Sequence, residues 1–247
     1  MDIIDLGLIP YTEAVDIQLR RLEEVRCGGK ETVFFLRHPA VITLGRNGGR
    51  ENLLISENEL KEQGIEIIPT TRGGDITCHF PDQLVMYPVL GVEKRPGGIK
   101  KLIFDLQEAV INTLHFFCIP AEARPGYPGV WTNKKKIASI GIAVRHWVSY
   151  HGLSLNVGPD LSLFRYITPC GLKDAAQTSV CRERNDQRVG YEEIKEVLSA
   201  NMLRQFAHTT LASHQTAQGQ GFHRDRKTAP GPGASDRMPG CQMPEHL

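Results

Sequence analysis

A mixed α/β domain, with sheets flanked by helices, is the fold this sequence predicts. Three observations carry the expectation. Short β-rich runs separated by turn residues recur between Thr32 and Val89, two longer stretches place apolar residues at helical spacing, and from Gly129 to Val157 the pattern changes to period two. The 247 residues, 40% of them hydrophobic, are enough for one sizeable core. We therefore expect one domain over residues 1–207 and a tail over 208–247.

The elements follow in order. Val15, Leu19 and Leu22, with charges between them, predict an amphipathic helix over 12–26 that ends before Gly28-Gly29. Thr32–Leu36 and Val41–Leu44 read as short strands. Ser56 with Glu59 three residues on is a capping-box pair that starts a helix, and Gly64 stops it before a strand over Ile65–Ile68. Asp75–Cys78 and Gln83–Val89 read as strands on either side of a turn containing Pro81. A helix from Ile99 to Phe117 carries Ile103, Leu106, Val110, Leu114 and Phe117 on one face. The period-two stretch, with a polar break near Arg145–Tyr150, predicts long paired strands. A final helix spans Tyr191 to Phe206. Beyond His208 the chain is rich in Gln, Gly, Pro, Ser and His and poor in large apolar residues, a composition that does not offset ordering entropy, so a disordered tail is expected.

Composition narrows the function classes. With 29 Lys and Arg against 28 Asp and Glu, the net charge of +1 gives no global field for nucleic acid or an anionic membrane, and neither is an expected partner. No apolar run approaches the roughly 20 residues of a membrane span, and Met1 to Pro10 carry no basic residue of a targeting segment. Six scattered cysteines lack a CxxC pair or a repeated spacing, which speaks against zinc or a disulfide framework and for reduced thiols in a cytoplasm. There is no GxxxxGK[ST] and no HExxH, so the usual nucleotide-cradle and zinc-protease signatures are missing.

Three places could carry chemistry. Thr168-Pro169-Cys170-Gly171-Leu172 sets a cysteine between a φ-locked proline and a glycine, which favours an accessible turn, although a free cysteine is more often a small buried hydrophobe. A thiol with an ordinary pKa of about 8.5 is mostly protonated at neutral pH, so a nucleophilic Cys170 needs a nearby cation or base. Lys134, Lys135 and Lys136 are the candidates. The first two read as a solvated loop, whereas Lys136 stands at the mouth of an apolar strand and is placed to exchange protons. In that strand Ile140, Ile142 and Val144 alternate with Ser139, Gly141 and Ala143, and the next repeats this with Leu153, Leu155 and Val157 against Gly152, Ser154 and Asn156. If the bare faces align they floor a slot for a slender alkyl chain, and a bulky side chain at Gly141 or Gly152 should shorten what fits. Close packing of a helix on the sheet would use the same small residues. Third, Arg72-Gly73-Gly74-Asp75-Ile76-Thr77-Cys78-His79 combines paired glycines, which let backbone approach a ligand, with the polar groups of Arg72 and His79.

Taken in order, RGGDITCHFPDQLVMYP (72–88), KIASIGIAVRHWVSYHGLSLNV (136–157) and ITPCGL (167–172) resemble the signature blocks of the lipoyl(octanoyl) transferase family over about residues 5–180. The resemblance implies a biotin/lipoyl protein ligase-like α+β domain and transfer of an octanoyl group to a protein lysine. The implied donor is acyl carrier protein, and the acceptors are lipoyl domains of 2-oxoacid dehydrogenase complexes and the glycine cleavage H protein. It further implies that Cys170 accepts the acyl group as a thioester and that Lys136 lowers its pKa and shuttles protons. Arg72 to His79, Ser139 to Gly141 (through Ile140) and Gly152 to Ser154 (through Leu153) would surround the acyl thioester. Thioester energy drives both half-reactions, so neither ATP nor a metal or other cofactor is expected beyond the donor's own phosphopantetheine. Against the family's RGGxxTYHGPGQ this chain has Cys78 for tyrosine and Phe80 and Asp82 for glycines. If those glycines adopt φ > 0, Phe80 forces a different loop path.

Two rivals remain at this point. On an ATP-dependent lipoate or biotin ligase the cysteine would be incidental, and the Pro-Cys-Gly context of Cys170 argues against that. A non-catalytic acyl- or protein-binding module would need neither Cys170 nor Lys136, and both are present.

Overall fold

The computed structural model describes residues 1–93, 95–168, 176–185 and 189–218. Cys170, with Pro169, Gly171 and Leu172, lies outside the described residues, as does 219–247.

The frame is a mixed seven-stranded sheet. Its order is β1 (Asp2–Leu8), β2 (Thr32–Arg37), β6 (Gln83–Val89), β10 (Val148–Asn156), β9 (Lys135–Arg145), β8 (Tyr127–Thr132) and β7 (Glu122–Arg124). Only β1 and β2 run parallel; the remaining neighbours are antiparallel. A second sheet, β4 (Glu66–Pro69), β3 (Val41–Leu44) and β5 (Ile76–His79), stands beside it. One face of the large sheet is covered by α3 (Gly98–Phe116) and α5 (Tyr191–Gln218), which bury Leu106, Val110, Leu114, Ile194, Leu198 and Met202 against β6, β9 and β10. The other face takes α1 (Tyr11–Arg26). The small sheet buries Ile42, Leu44, Ile76 and Cys78 with Leu60 of α2 (Glu57–Glu62) and Phe164. A short α4 (Val180–Arg184) precedes α5.

The capping box at Ser56 and Glu59 is formed in both directions, and the helix over the expected 99–117 stretch begins one residue earlier. The polar break shrinks to a two-residue turn, His146-Trp147, with both residues at positive φ (49° and 62°), the geometry whose twist matches a two-residue hairpin.

Three expectations need correction. The face of α1 that meets the sheet is Tyr11, Ala14, Gln18 and Leu22, leaving Val15 and Leu19 half-buried, because hydrogen bonds let the polar Gln18 go inside. β1 and β7 were not anticipated: β1 carries two Asp and a glycine that lower strand propensity, and β7 has three residues. α5 continues past Phe206 to Gln218, so the boundary at 207/208 falls within a helix. Residues 191–218 contain no Gly or Pro, and Gly219 is the first breaker. Among the described residues Cys27, Cys78 and Cys181 are free thiols, as expected.

Candidate active site

Where the small sheet meets β9 and β10, a narrow cleft opens between them. Its floor comes from the register of that hairpin. Gly141 pairs with Gly152 and Ser139 with Ser154, so the small faces of the two strands are aligned. Arg72, Gly73, Gly74, Asp75, Ile76, Thr77 and His79 line the opposite wall, with Ser139, Ile140, Gly141, Gly152, Leu153 and Ser154 on the floor and Lys136 at one end. Cys78 is the exception among the expected lining residues. Successive strand residues face opposite ways, so Thr77 and His79 look into the cleft while Cys78 is wholly buried in the small-sheet core, its thiol pushed well above the ordinary range by burial. Phe80 also belongs to that core, ring edge against Phe164 at 5.8 Å, and it is not among the positive-φ residues. The departure from glycine is thus accommodated by a core partner.

The glycine loop is tied down on both sides. Gly73 donates its N–H to the carbonyl of Ile142 at 3.1 Å, and Arg46 and Asn47 donate to the carbonyls of Arg72 and Gly74. The buried Arg72 guanidinium donates to the carbonyl and hydroxyl of Thr43 at 2.7–3.1 Å, which fixes it beneath the loop. These contacts change the meaning of the floor glycines. A Cβ at Gly141 would lie 2.7 Å from the carbonyl oxygen of Gly73, and one at Gly152 would lie 2.0 Å from that of Met86 in β6. The bareness of the floor therefore serves the approach of backbone to backbone, and the expectation that a side chain at these positions would simply shorten the slot is withdrawn.

Lys136 is 5% exposed although charged side chains are seldom buried. It lies 5.8 Å from the centre of the Trp131 ring, and its aliphatic stem fills the space left by Gly129, where a Cβ would come within 2.7 Å of Cε. Its backbone is paired with the carbonyl of Ala176 and the N–H of Thr178. On the other flank of Cys170, Thr168 donates its N–H to Asn52, whose side-chain amide reaches Asp75 in the glycine loop at 3.0 Å. The neighbouring lysines differ as expected. Lys134 is exposed at a turn with φ 67°, and Lys135 pairs on the surface with Glu183 at 3.1 Å.

Sequence reasoning missed the far end of the cleft, which Tyr11, Tyr87 and His151 build. His38 donates from Nδ1 to the carbonyl of Ile9 at 2.8 Å. Burial holds His38 down at about 4, so its ring is neutral and Nε2 accepts from the Tyr87 hydroxyl at 2.9 Å. His79 is held well below its ordinary range chiefly by burial, with its neighbours His38 and Arg72 also disfavouring a second positive charge, and its Nδ1 is 3.0 Å from the amide oxygen of Gln83. His151, lowered to about 3 chiefly by burial and then by Arg72, sits 3.4 Å from the Tyr11 hydroxyl and 3.3 Å from that of Thr71. A signal existed: a glycine inside a strand pattern, here Gly152 directly after His151, often marks a distorted ladder.

Fold and cleft together define a catalytic domain of the lipoyl-ligase kind, and comparison gives the same class. The family described as "Lipoyl protein ligase A/B catalytic domain" matches residues 10–203. An octanoyltransferase of Nitratidesulfovibrio vulgaris (strain DP4) is 52% identical over 214 residues, covering 87% of this chain and 98% of that protein. One from Maridesulfovibrio salexigens is 50% identical, covering 86% and 100%. Among solved structures, lipoate-protein ligase A bound with ATP superposes with a TM-score of 0.66 at 18% identity, over 85% of each chain. A bipartite lipoate protein ligase from Thermoplasma acidophilum gives 0.65 at 19%, over 85% of this chain and 83% of that one. The chain belongs to the lipoyl protein ligase A/B catalytic-domain family and, within it, to the octanoyltransferases.

Proposed function

We propose that the protein transfers an octanoyl group from acyl carrier protein to a lysine of lipoyl domains through a thioester on Cys170. The observation that supports this most is Lys136: a buried lysine at one end of a narrow cleft, with its backbone paired to the chain on one side of Cys170, while Thr168 on the other side is tied through Asn52 to the glycine loop.

In the first half-reaction the Cys170 thiolate attacks the donor's thioester carbonyl, and the phosphopantetheine thiol leaves. Lys136 takes the cysteine proton and returns it to that thiol. In the second, Lys136 takes a proton from the acceptor lysine as its amine attacks the acyl-Cys170 carbonyl, giving an amide and freeing Cys170. The octanoyl chain occupies the cleft between the β9–β10 hairpin and the Arg72–His79 wall. The acceptors are lipoyl domains of 2-oxoacid dehydrogenases and the glycine cleavage H protein. No ATP, metal or other cofactor enters the reaction, and the site works in a cytoplasm. Among the described residues no helix is long and apolar enough to cross a membrane.

The test separates transfer from ligation. Purified protein is supplied with a lipoyl domain and either octanoyl carrier protein alone or free octanoate with ATP. Octanoylated domain should form from the first mixture. Product from the second alone would establish the ATP-dependent ligase instead.

A further inference from the structure

The cleft is separated from a second space by a single layer of side chains. An open groove runs along α1, bounded by Val15, Leu19, Ile68, Pro69 and Arg145. Tyr11 and His151 line both spaces. From the groove side the layer is latched by Thr71, whose hydroxyl is 2.8 Å from that of Tyr150 and 3.3 Å from His151 Nε2.

The strand register gives the direction. Counting along β9 from Lys136, the hairpin pairs are Ser139 with Ser154, Gly141 with Gly152, and then Ile142 with His151. A Cβ at Gly129 would lie 3.4 Å from Lys136 Nζ, and Gly129 pairs with Ser139, so the ammonium stands abreast of Ser139; Ile142 is three residues further on, roughly 10 Å of strand at about 3.4 Å per residue. A tail that enters this cleft beside Lys136 and runs in the same direction ends against His151 and Tyr11.

His151 is held there against its backbone preference. Its φ is 57°, in the left-handed region that non-glycine residues avoid, in the middle of β10. The buried Gln18 of α1 keeps it so, accepting the His151 N–H at 2.7 Å while its own amide donates to Ala14. The ladder with β6 resumes only at Leu153. The distortion turns the His151 ring toward Tyr11 and the cleft.

We propose that Tyr11 and His151 form the chain-length stop of the acyl slot, and that the groove along α1 is where a longer tail goes once that layer is opened. The inference rests on the octanoyl-transfer reading. The stop suits an alkyl end: His151 is neutral, and its two ring nitrogens face Tyr11 and Thr71, so no charge is presented to the chain.

The test is the yield of acyl-enzyme, by intact mass, from butanoyl, octanoyl, decanoyl and dodecanoyl carrier protein. His151→Gly removes the ring and suits the positive φ. At about fourfold per buried methylene, it should raise the decanoyl-to-octanoyl ratio on the order of tenfold and the dodecanoyl ratio further. Thr71→Ala, at an exposed position, removes only the latch and should shift the ratios the same way by less. Adding Val15→Trp to His151→Gly refills the groove and should restore the wild-type profile. Unchanged ratios in both single variants, or an equal loss for every length, would overturn the proposal. A profile that Val15→Trp does not restore would overturn the role of the groove. Should His151→Gly fail to fold, Thr71→Ala decides alone. A wild-type protein that forms no adduct from any donor marks failure of the octanoyl reading, a different result from an unchanged profile.

Discussion

Lys136 leaves β9 beneath Trp131 and over Gly129, so its position depends on a residue that has no side chain. Lys136→Ala should slow both half-reactions by about 10²–10⁴-fold, the range for lost acid–base catalysis, measured as single-turnover acylation and deacylation. Lys136→Arg should not rescue, because a guanidinium keeps the charge but does not give up its proton; full activity in that variant would show that a cation's field is enough. Gly129→Ala should behave as a partial Lys136 lesion. Gly129 has φ 142°, and a Cβ there meets the Ala138 carbonyl at 2.5 Å as well as the lysine stem. A rate loss with the stability loss held to about 1–3 kcal/mol would fit displacement of the lysine. Lys136 was legible in the sequence because it is the lysine of the run that adjoins the apolar strand. Gly129 was not, since nothing local says which side chain crosses a glycine seven residues away.

Between strands, the floor glycines act through backbone contact. Gly141→Val and Gly152→Val should therefore lower acyl-enzyme formation from butanoyl and octanoyl donors alike and destabilise the fold by about 1–3 kcal/mol or more, read from denaturant midpoints. A selective loss for octanoyl would restore the simpler view of a bare floor. Alternation along 139–144 and 152–157 showed that each strand has a small face, and the register shows that the two are aligned. It did not reveal that the Arg72–Asp75 loop and β6 come within contact of them, because those neighbours are distant in sequence. The same limit explains the far end of the cleft. Tyr11, Tyr87 and His151 come from α1, β6 and β10, and Gln18, polar in a helix, looked solvent-facing until its hydrogen bonds were known.

Over the whole molecule, burying neutral histidines makes stability depend on pH. His38 and His151 titrate near 4 and 3 in the fold, below the ordinary value near 6.5 that the unfolded chain restores. Between those values the unfolded state binds more protons, so stability rises with pH through this window and is lost as pH falls from about 6.5 toward 4 and 3. The loss should be on the order of a few kcal/mol per histidine. Urea unfolding across that range in wild type and in His38→Gln should show a shallower acid slope in the variant, and equal slopes would place the acid sensitivity elsewhere. The mixed α+β class was readable from periodicity alone, whereas the division into two sheets with a cleft between them was not, since strand pairing is non-local. The most direct measurement is the intact mass of the protein after incubation with octanoyl carrier protein and no ATP. One octanoyl adduct, released by hydroxylamine and mapping to Cys170, is the predicted result. An adduct that needs ATP, or a thioester that persists in Cys170→Ser, would contradict it.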